Sequence, residues 1–154
     1  MSSTLYNILL VLHIIGVALW LGANFSMGVA ANRTVGASNE INAWWAGVQG
    51  LMGKTMKNAA FILLLLTGLG MVSRADDGIE FKNPFVSIGF LVVIVGGALG
   101  GMVFAPGARK AVDAFTQGDS AGGKAAVDKL GLVGMAESLL VVVTILFMVF
   151  KWGS

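Results

Sequence analysis

Four long apolar stretches, separated by shorter polar breaks, make up most of this chain. They cover approximately 5–31, 51–73, 85–105 and 130–150. Each holds about 20 residues or more, the length that an α-helix needs to cross about 30 Å of hydrocarbon. Short connections between consecutive helices favour antiparallel neighbours. The pattern therefore predicts an all-α fold, a transmembrane four-helix up-and-down bundle in which 1–154 form a single domain.

Composition supports a membrane protein and excludes several other classes. Hydrophobic residues make up 56% of the 154 residues and charged residues only 12%, about half the charged share of a soluble domain. The formal charge of +2 gives no support to a nucleic-acid partner. Because the chain has no Cys, disulfides, thiolate metal sites and c-type haem attachment are excluded. The first stretch is too long for a signal peptide and no Lys or Arg precedes it, so we expect a retained helix.

Lys and Arg are distributed unequally between the two ends of the predicted bundle. The first and third breaks, with the adjoining helix ends, hold seven of them, and the opposite end holds three. Because basic residues concentrate on the cytoplasmic side of membrane proteins, we predict that both termini lie outside the cytoplasm. The seven are Arg33, Lys54, Lys57, Arg109, Lys110, Lys124 and Lys129, and the three are Arg74, Lys82 and Lys151.

Local signals mark where the helices begin and end. Ser38 or Asn39 suits the capping position of the second helix, which then runs without Pro to a predicted turn at 76–78. Trp44 and Trp45 fall near its start, where an interfacial aromatic belt belongs. One long second helix is therefore expected.

The third and fourth helices carry similar signals. Pro84 suits the first turn of the third helix, where its missing N–H costs nothing. Pro106 should kink that helix near the membrane interface, and residues 108–115 can continue it. The polar stretch 119–123 is a turn from which the fourth helix is expected to start.

The third helix is dense in glycine. In lipid, small residues four positions apart allow neighbouring backbones to approach closely. One such row joins Gly96 to Gly100, and a second joins Gly97, Gly101 and Ala105. We predict that Gly97 and Gly101 line a helix–helix contact.

Glu137 is an acidic residue expected deep in the bilayer, where ionisable groups are costly and are functional candidates. Lys57 and Lys54 lie at the cytoplasmic end of the second apolar stretch, and their long side chains can bend towards Glu137. One interpretation is a structural site, either a buried ion pair or a protonated Glu137 bonded to Asn58 or Asn24. The other interpretation is a proton or ion pathway.

His13 is the only histidine, and by helix rise it lies in the opposite leaflet from Glu137. A neutral imidazole is a common ligand of haem iron and of metals. The alternative is a histidine bonded across helices to a carbonyl or a hydroxyl. A second axial ligand is not obvious, because Met71 and Met148 lie nearer the membrane surface than His13. The iron could be five-coordinate, or its second ligand could be a backbone group, a water or a histidine of a second subunit.

Small residues near His13 on the first two helices suggest room for a flat macrocycle. These are Gly16 and Ala23 on the first helix and Gly68 and Gly70 on the second. Trp20, nearly two turns from His13 on the same side, is placed to pack against its edge. The chain holds no Ser–His–Asp order, HExxH or Walker A motif, and the third-helix glycines lack GxGxxG spacing.

Three segments resemble known small bacterial membrane proteins. The stretch 12–22, LHIIGVALWLG, resembles the opening helix of a set that includes an uncharacterised predicted integral membrane protein family. The set also includes the membrane domain of copper-resistance protein D and, more distantly, the HemJ-type protoporphyrinogen oxidase. FAPGAR at 104–109 and MVFK at 148–151 resemble the uncharacterised family.

The resemblance implies b-type haem with His13 as axial ligand and Trp20 beside it. The third-helix lysine of the oxidase has no match in 85–105, which leaves enzymatic activity open. We therefore expect a small haem-b protein of the bacterial inner membrane that serves electron transfer or haem handling. The alternative is a non-catalytic accessory or scaffold subunit of a larger membrane complex, and a transporter comes third. Expected partners are the lipid bilayer, a second copy of the chain or other membrane subunits.

Overall fold

The computed structural model describes residues 3–34, 36–73 and 80–152, which are helical apart from short connections. Four helices are long and apolar enough to cross a membrane, and this confirms the predicted four-helix bundle of a multi-pass membrane protein. In chain order they are α1 (Ser3–Arg33), α2 (Asn39–Met52) continuing through a first π turn (Gly53–Lys57) into α3 (Asn58–Val72), α4 (Pro84–Leu99) continuing through a second π turn (Gly100–Phe104) into α5 (Ala105–Thr116), and α6 (Ser120–Phe150).

Side-chain caps start α2 and α6 where the sequence predicts. Ser38 Oγ accepts a hydrogen bond from the Ile41 N–H at 3.4 Å, so of the two candidate caps it is Ser38 that serves. Asp119 Oδ1 accepts from the Gly122 N–H at 2.8 Å, which satisfies one of the free N–H groups of the first turn. Gly118, just before, has φ +82°, a left-handed conformation that suits the end of α5.

The third long helix begins as expected and is then distorted. Pro84 lies in its first turn, and the predicted turn at 76–78 lies outside the described residues. The kink expected at Pro106 stays a prediction, and the second π turn ends two residues before it, at Phe104. A proline cannot donate the helical hydrogen bond, and the helix still continues through it to Thr116.

The bundle is a ring in which α1 and α4 each pack between α3 and α6. Consequently α1 and α4 occupy opposite corners, as do α3 and α6. At one end α2 packs against α5, and α5 against α6. We call this the basic end because it carries Arg33, Lys54, Arg109, Lys110, Lys124 and Lys129.

The interior is tightly packed in the part of the bundle that lies on the far side of the π turns from the basic end. Trp20, 1% exposed, meets Phe61 edge to face at a centroid distance of 4.5 Å. A Cβ built on Gly96 would overlap the Trp20 ring. Gly96 therefore lies at a close helix–helix contact, as the first glycine row predicts.

The prediction for the second glycine row is wrong. Gly97 and Gly101 are exposed, and a Cβ on either meets nothing within 4 Å. Successive helical residues point about 100° apart, so when Gly96 faces the core, Gly97 faces away from it. Gly101 borders a cavity, described below.

Candidate functional site

A buried ion pair joins the second and fourth long helices across the bundle. Lys57 Nζ lies 2.5 Å from Glu137 Oε2, with the two side chains 1% and 2% exposed. Lys57 ends the first π turn and Glu137 lies near the middle of α6. Because these helices occupy opposite corners, the pair passes through the interior. The structure confirms the predicted Glu137–Lys57 partnership, whereas Lys54 is exposed.

Two further helices contribute to this pair. Asn24 of α1 donates from Nδ2 to Glu137 Oε2 at 2.8 Å and to Ser138 Oγ at 3.0 Å. Lys57 Nζ lies 3.7 Å from the centroid of the Phe104 ring, which closes the second π turn, in a cation–π contact. All four long helices therefore meet at one polar cluster (Asn24, Lys57, Phe104, Glu137, Ser138).

A cavity of about 920 Å³ adjoins the polar cluster on the side of the basic end. Its walls come from the second half of α1, from α2, from the two π turns, and from α5 and the first half of α6. Most of the lining is apolar. The polar lining consists of Asn24, Asn32, Gln49, Lys54, Lys57, Asn58, Arg109 and Ser138. A concave, mostly apolar space with a few converging polar groups is the usual form of a small-molecule site.

Glycines, not large side chains, leave this space open. Gly47, Gly53 and Gly131 border the cavity, and a Cβ on any of them would meet nothing within 4 Å. The density of glycine in the sequence indicates close packing and does not by itself predict a cavity. Gln49 and Phe104 were also missed, although a buried amide on an apolar helix is itself a signal of a polar site.

His13 lies apart from this cluster, about 16 Å along α1 from Asn24 by helix rise. His13 Nδ1 is 2.8 Å from Thr67 Oγ1, and that hydroxyl donates its own hydrogen to the Leu63 carbonyl at 2.6 Å. Nδ1 must therefore carry the proton and donate it to Thr67. This is the interhelical hydrogen bond to a hydroxyl that the sequence left open as an alternative, and it leaves Nε2 with a free lone pair.

The space expected for a macrocycle between α1 and α3 is filled. A Cβ on Gly16 would lie 3.0 Å from Leu64 Cγ, and one on Gly70 would lie 3.2 Å from Leu9 Cδ1. The imidazole of His13 thus suits an iron ligand, but its packed surroundings on α3 do not fit a haem in this arrangement. Among the described residues, no group of three His, Cys, Asp or Glu side chains is placed to hold a metal ion.

Trp20, the second residue predicted to contact a haem, is a core residue. Its ring is packed in the core against Phe61 and beside Gly96, and its role beside a haem stays a prediction.

The fold and the buried cluster define a multi-pass membrane protein that carries an ion pair and a cavity inside a four-helix bundle. Comparisons with protein-family models, with curated proteins and with solved structures find no match to this chain. The resemblances noted from the sequence stay predictions.

Proposed function

We propose that this is a membrane-embedded binding protein that takes a lipophilic small molecule into the cavity. The polar cluster holds the polar end of that molecule. The observation that carries the proposal is the buried Lys57–Glu137 pair in direct connection with a large apolar cavity, since Lys57 is part of both.

Energetics supports a functional role for the pair. Burying two charges costs several kcal/mol per ion, and a well-packed apolar pair of similar volume is often as stable or more so. A role in stability alone therefore explains it poorly. Ionisable groups at membrane depth commonly mark functional sites.

The two π turns give independent support. Each inserts an extra residue into a membrane helix, and each ends on a member of the cluster, Lys57 or Phe104. Such distortions are costly and occur frequently at functional sites. Here they set the lysine of one helix against the aromatic ring of its neighbour.

For the setting, we propose the bacterial inner membrane, with the basic end towards the cytoplasm and both termini outside. The unequal distribution of Lys and Arg supports this orientation. The cavity then lies in the half of the bundle that faces the cytoplasmic leaflet.

The test is to fill the cavity without disturbing the packing. Gly131→Leu adds a side chain where a Cβ meets nothing within 4 Å and where the glycine borders the cavity. Gly97→Leu is the matched control, because its Cβ is equally unobstructed and it is exposed outside the cavity lining. Each protein is purified in mild detergent, and its organic extract is analysed by mass spectrometry.

We expect a compound enriched with the parent and with Gly97→Leu but lost with Gly131→Leu. Extracts of identical composition from all three proteins would refute binding in the cavity.

A second candidate is haem-b binding with His13 as axial ligand, for electron transfer or haem handling. It is favoured by the free Nε2 lone pair, because metal-bound histidines commonly donate their other ring N–H to an acceptor, as His13 does to Thr67. The filled space at Gly16 and Gly70 counts against it. We expect a Soret band that is lost in His13→Ala. A colourless protein from haem-replete cells would refute haem binding. If no compound co-purified with the protein either, the results would favour the accessory-subunit hypothesis.

A further inference from the structure

Three buried oxygen atoms in or beside the cavity lining lack hydrogen-bond donors among the described residues. They are Asn24 Oδ1, Gln49 Oε1 and Glu137 Oε1. Buried acceptors without a donor are uncommon and costly, so three in one region call for an explanation.

The orientation of the two amides is fixed by their neighbours. Asn24 Nδ2 faces Glu137 Oε2 and the Ser138 hydroxyl, whose hydrogen goes to the Gly134 carbonyl at 2.8 Å. Gln49 Nε2 faces the Met27 carbonyl at 3.3 Å. Since all of these partners accept hydrogen bonds, the amide nitrogens must lie where they do. The unpartnered atoms are therefore oxygens, which accept and cannot donate.

Two hydrogen bonds connect the side chains that carry these oxygens to the same part of α1. Asn24 and Glu137 are bonded to each other, and Gln49 bonds to Met27, which lies about one helical turn along α1 from Asn24. Asn24 and Gln49 both line the cavity, whereas Glu137 is outside the lining and adjoins it through its bond to Asn24. The other buried unpartnered atoms in the described chain are the indole nitrogens of Trp20 and Trp45, and neither tryptophan is part of the lining.

The charges around the cavity further restrict the chemical class of the ligand. Two further cations, Lys54 and Arg109, line the cavity, and both are exposed. At the buried polar cluster, Lys57 and Glu137 compensate each other at 2.5 Å, so this cluster is neutral as a whole. A charged group placed at the polar cluster would bring an uncompensated charge into a low-dielectric site, and this costs several kcal/mol. A neutral molecule that supplies donors carries no such cost.

We infer that the cavity binds a neutral lipophile whose polar end bears hydroxyl groups, such as a long-chain alcohol or an acylglycerol. This inference rests on the proposed function and specifies its ligand class. The hydroxyl hydrogens supply the donors that Asn24 and Gln49, the two lining residues, lack, and the acyl or alkyl chain occupies the apolar part.

The experiment uses the full chain in lipid nanodiscs with a defined probe, a decanol that carries a photoreactive diazirine in its alkyl chain. Labelled peptides from α2 and α6 are quantified by mass spectrometry. Competitors are unlabelled 1-decanol, decyl methyl ether, decanoate and decylammonium, compared at equal mole fraction in the membrane. The ether retains the oxygen and the chain and lacks only the donor.

We expect 1-decanol to compete about fivefold better than the ether, as one net hydrogen bond implies, and better than either charged competitor. Gln49→Leu, which removes one unpartnered oxygen, should narrow the difference between alcohol and ether. Gly97→Leu should leave that difference unchanged.

The outcomes separate the two proposals. If Gly131→Leu abolishes labelling but the ether competes as well as the alcohol, the inference is overturned and the proposed function stands. The same holds if decanoate or decylammonium competes best. If labelling is insensitive to Gly131→Leu, both are overturned.

Discussion

Removing one charge of the buried pair should cost more than removing both. In Glu137→Gln the shape of the side chain and its acceptor for Asn24 are retained, but Lys57, 1% exposed, loses its counter-charge. Breaking a buried pair in this way costs about 3–5 kcal/mol. The Phe104 ring, 3.7 Å from Nζ, continues to interact with the ammonium, so we expect the lower limit, about 3 kcal/mol.

The reciprocal variant Lys57→Met leaves Glu137 with Asn24 as its remaining donor, and we expect a similar loss of about 3 kcal/mol. Independent losses would total about 6 kcal/mol in the double variant. Because the double variant contains no uncompensated charge, we expect it to lose only about 1–2 kcal/mol.

Equilibrium unfolding by SDS in mixed micelles, followed by far-ultraviolet circular dichroism, measures the four free energies of unfolding. Lys54→Met is the control, since Lys54 lies in the same π turn and is exposed. It should change stability by no more than about 0.5 kcal/mol. If the loss in the double variant equalled the sum of the two single losses, the energetic coupling between Lys57 and Glu137 would be refuted.

Three other measurements test the packing, the histidine and the topology. Gly96→Ala should lose about 1–3 kcal/mol, because its Cβ would overlap an indole ring, whereas Gly97→Ala should be no less stable than the parent; equal stabilities would contradict the close contact. Thr67→Val removes the acceptor of the His13 Nδ1–H and should cost about 1 kcal/mol in the same unfolding assay; an unchanged value would contradict that hydrogen bond. A reporter fused at Ser120 should be cytoplasmic and one at the C-terminus external, and the reverse would refute the proposed orientation.

The sequence predicted the fold well because the membrane imposes strong, local constraints. About 20 apolar residues are required for each crossing, and caps such as Ser38 and Asp119 act within one turn. Both kinds of signal are readable without knowing the neighbours of a helix. The pairing of Glu137 with Lys57 was also predictable, since an isolated charge at that depth requires a partner.

The site was harder to predict because it depends on which face each helix presents. Adjacent glycines, Gly96 and Gly97, are equivalent in the sequence, yet one contacts Trp20 and the other is exposed. Glycine likewise signals either close packing or empty space, and only the neighbouring helix decides between them. The cavity bordered by Gly131 exists because the facing helices place no side chain in that space.

The position of the ion pair within the bundle connects the cavity to the rest of the molecule. Beyond the π turns, Trp20 and Phe61 fill the interior, while on the basic side the interior is open. The Lys57–Glu137 pair lies at the boundary between the packed and open parts and joins opposite corners of the ring. Lys57 lines the cavity, so a ligand that contacts it acts on the ion pair that holds α6 to the second long helix. Binding in the cavity and the stability of the bundle are thus expected to be coupled, which any ligand of this protein should reveal as a raised free energy of unfolding.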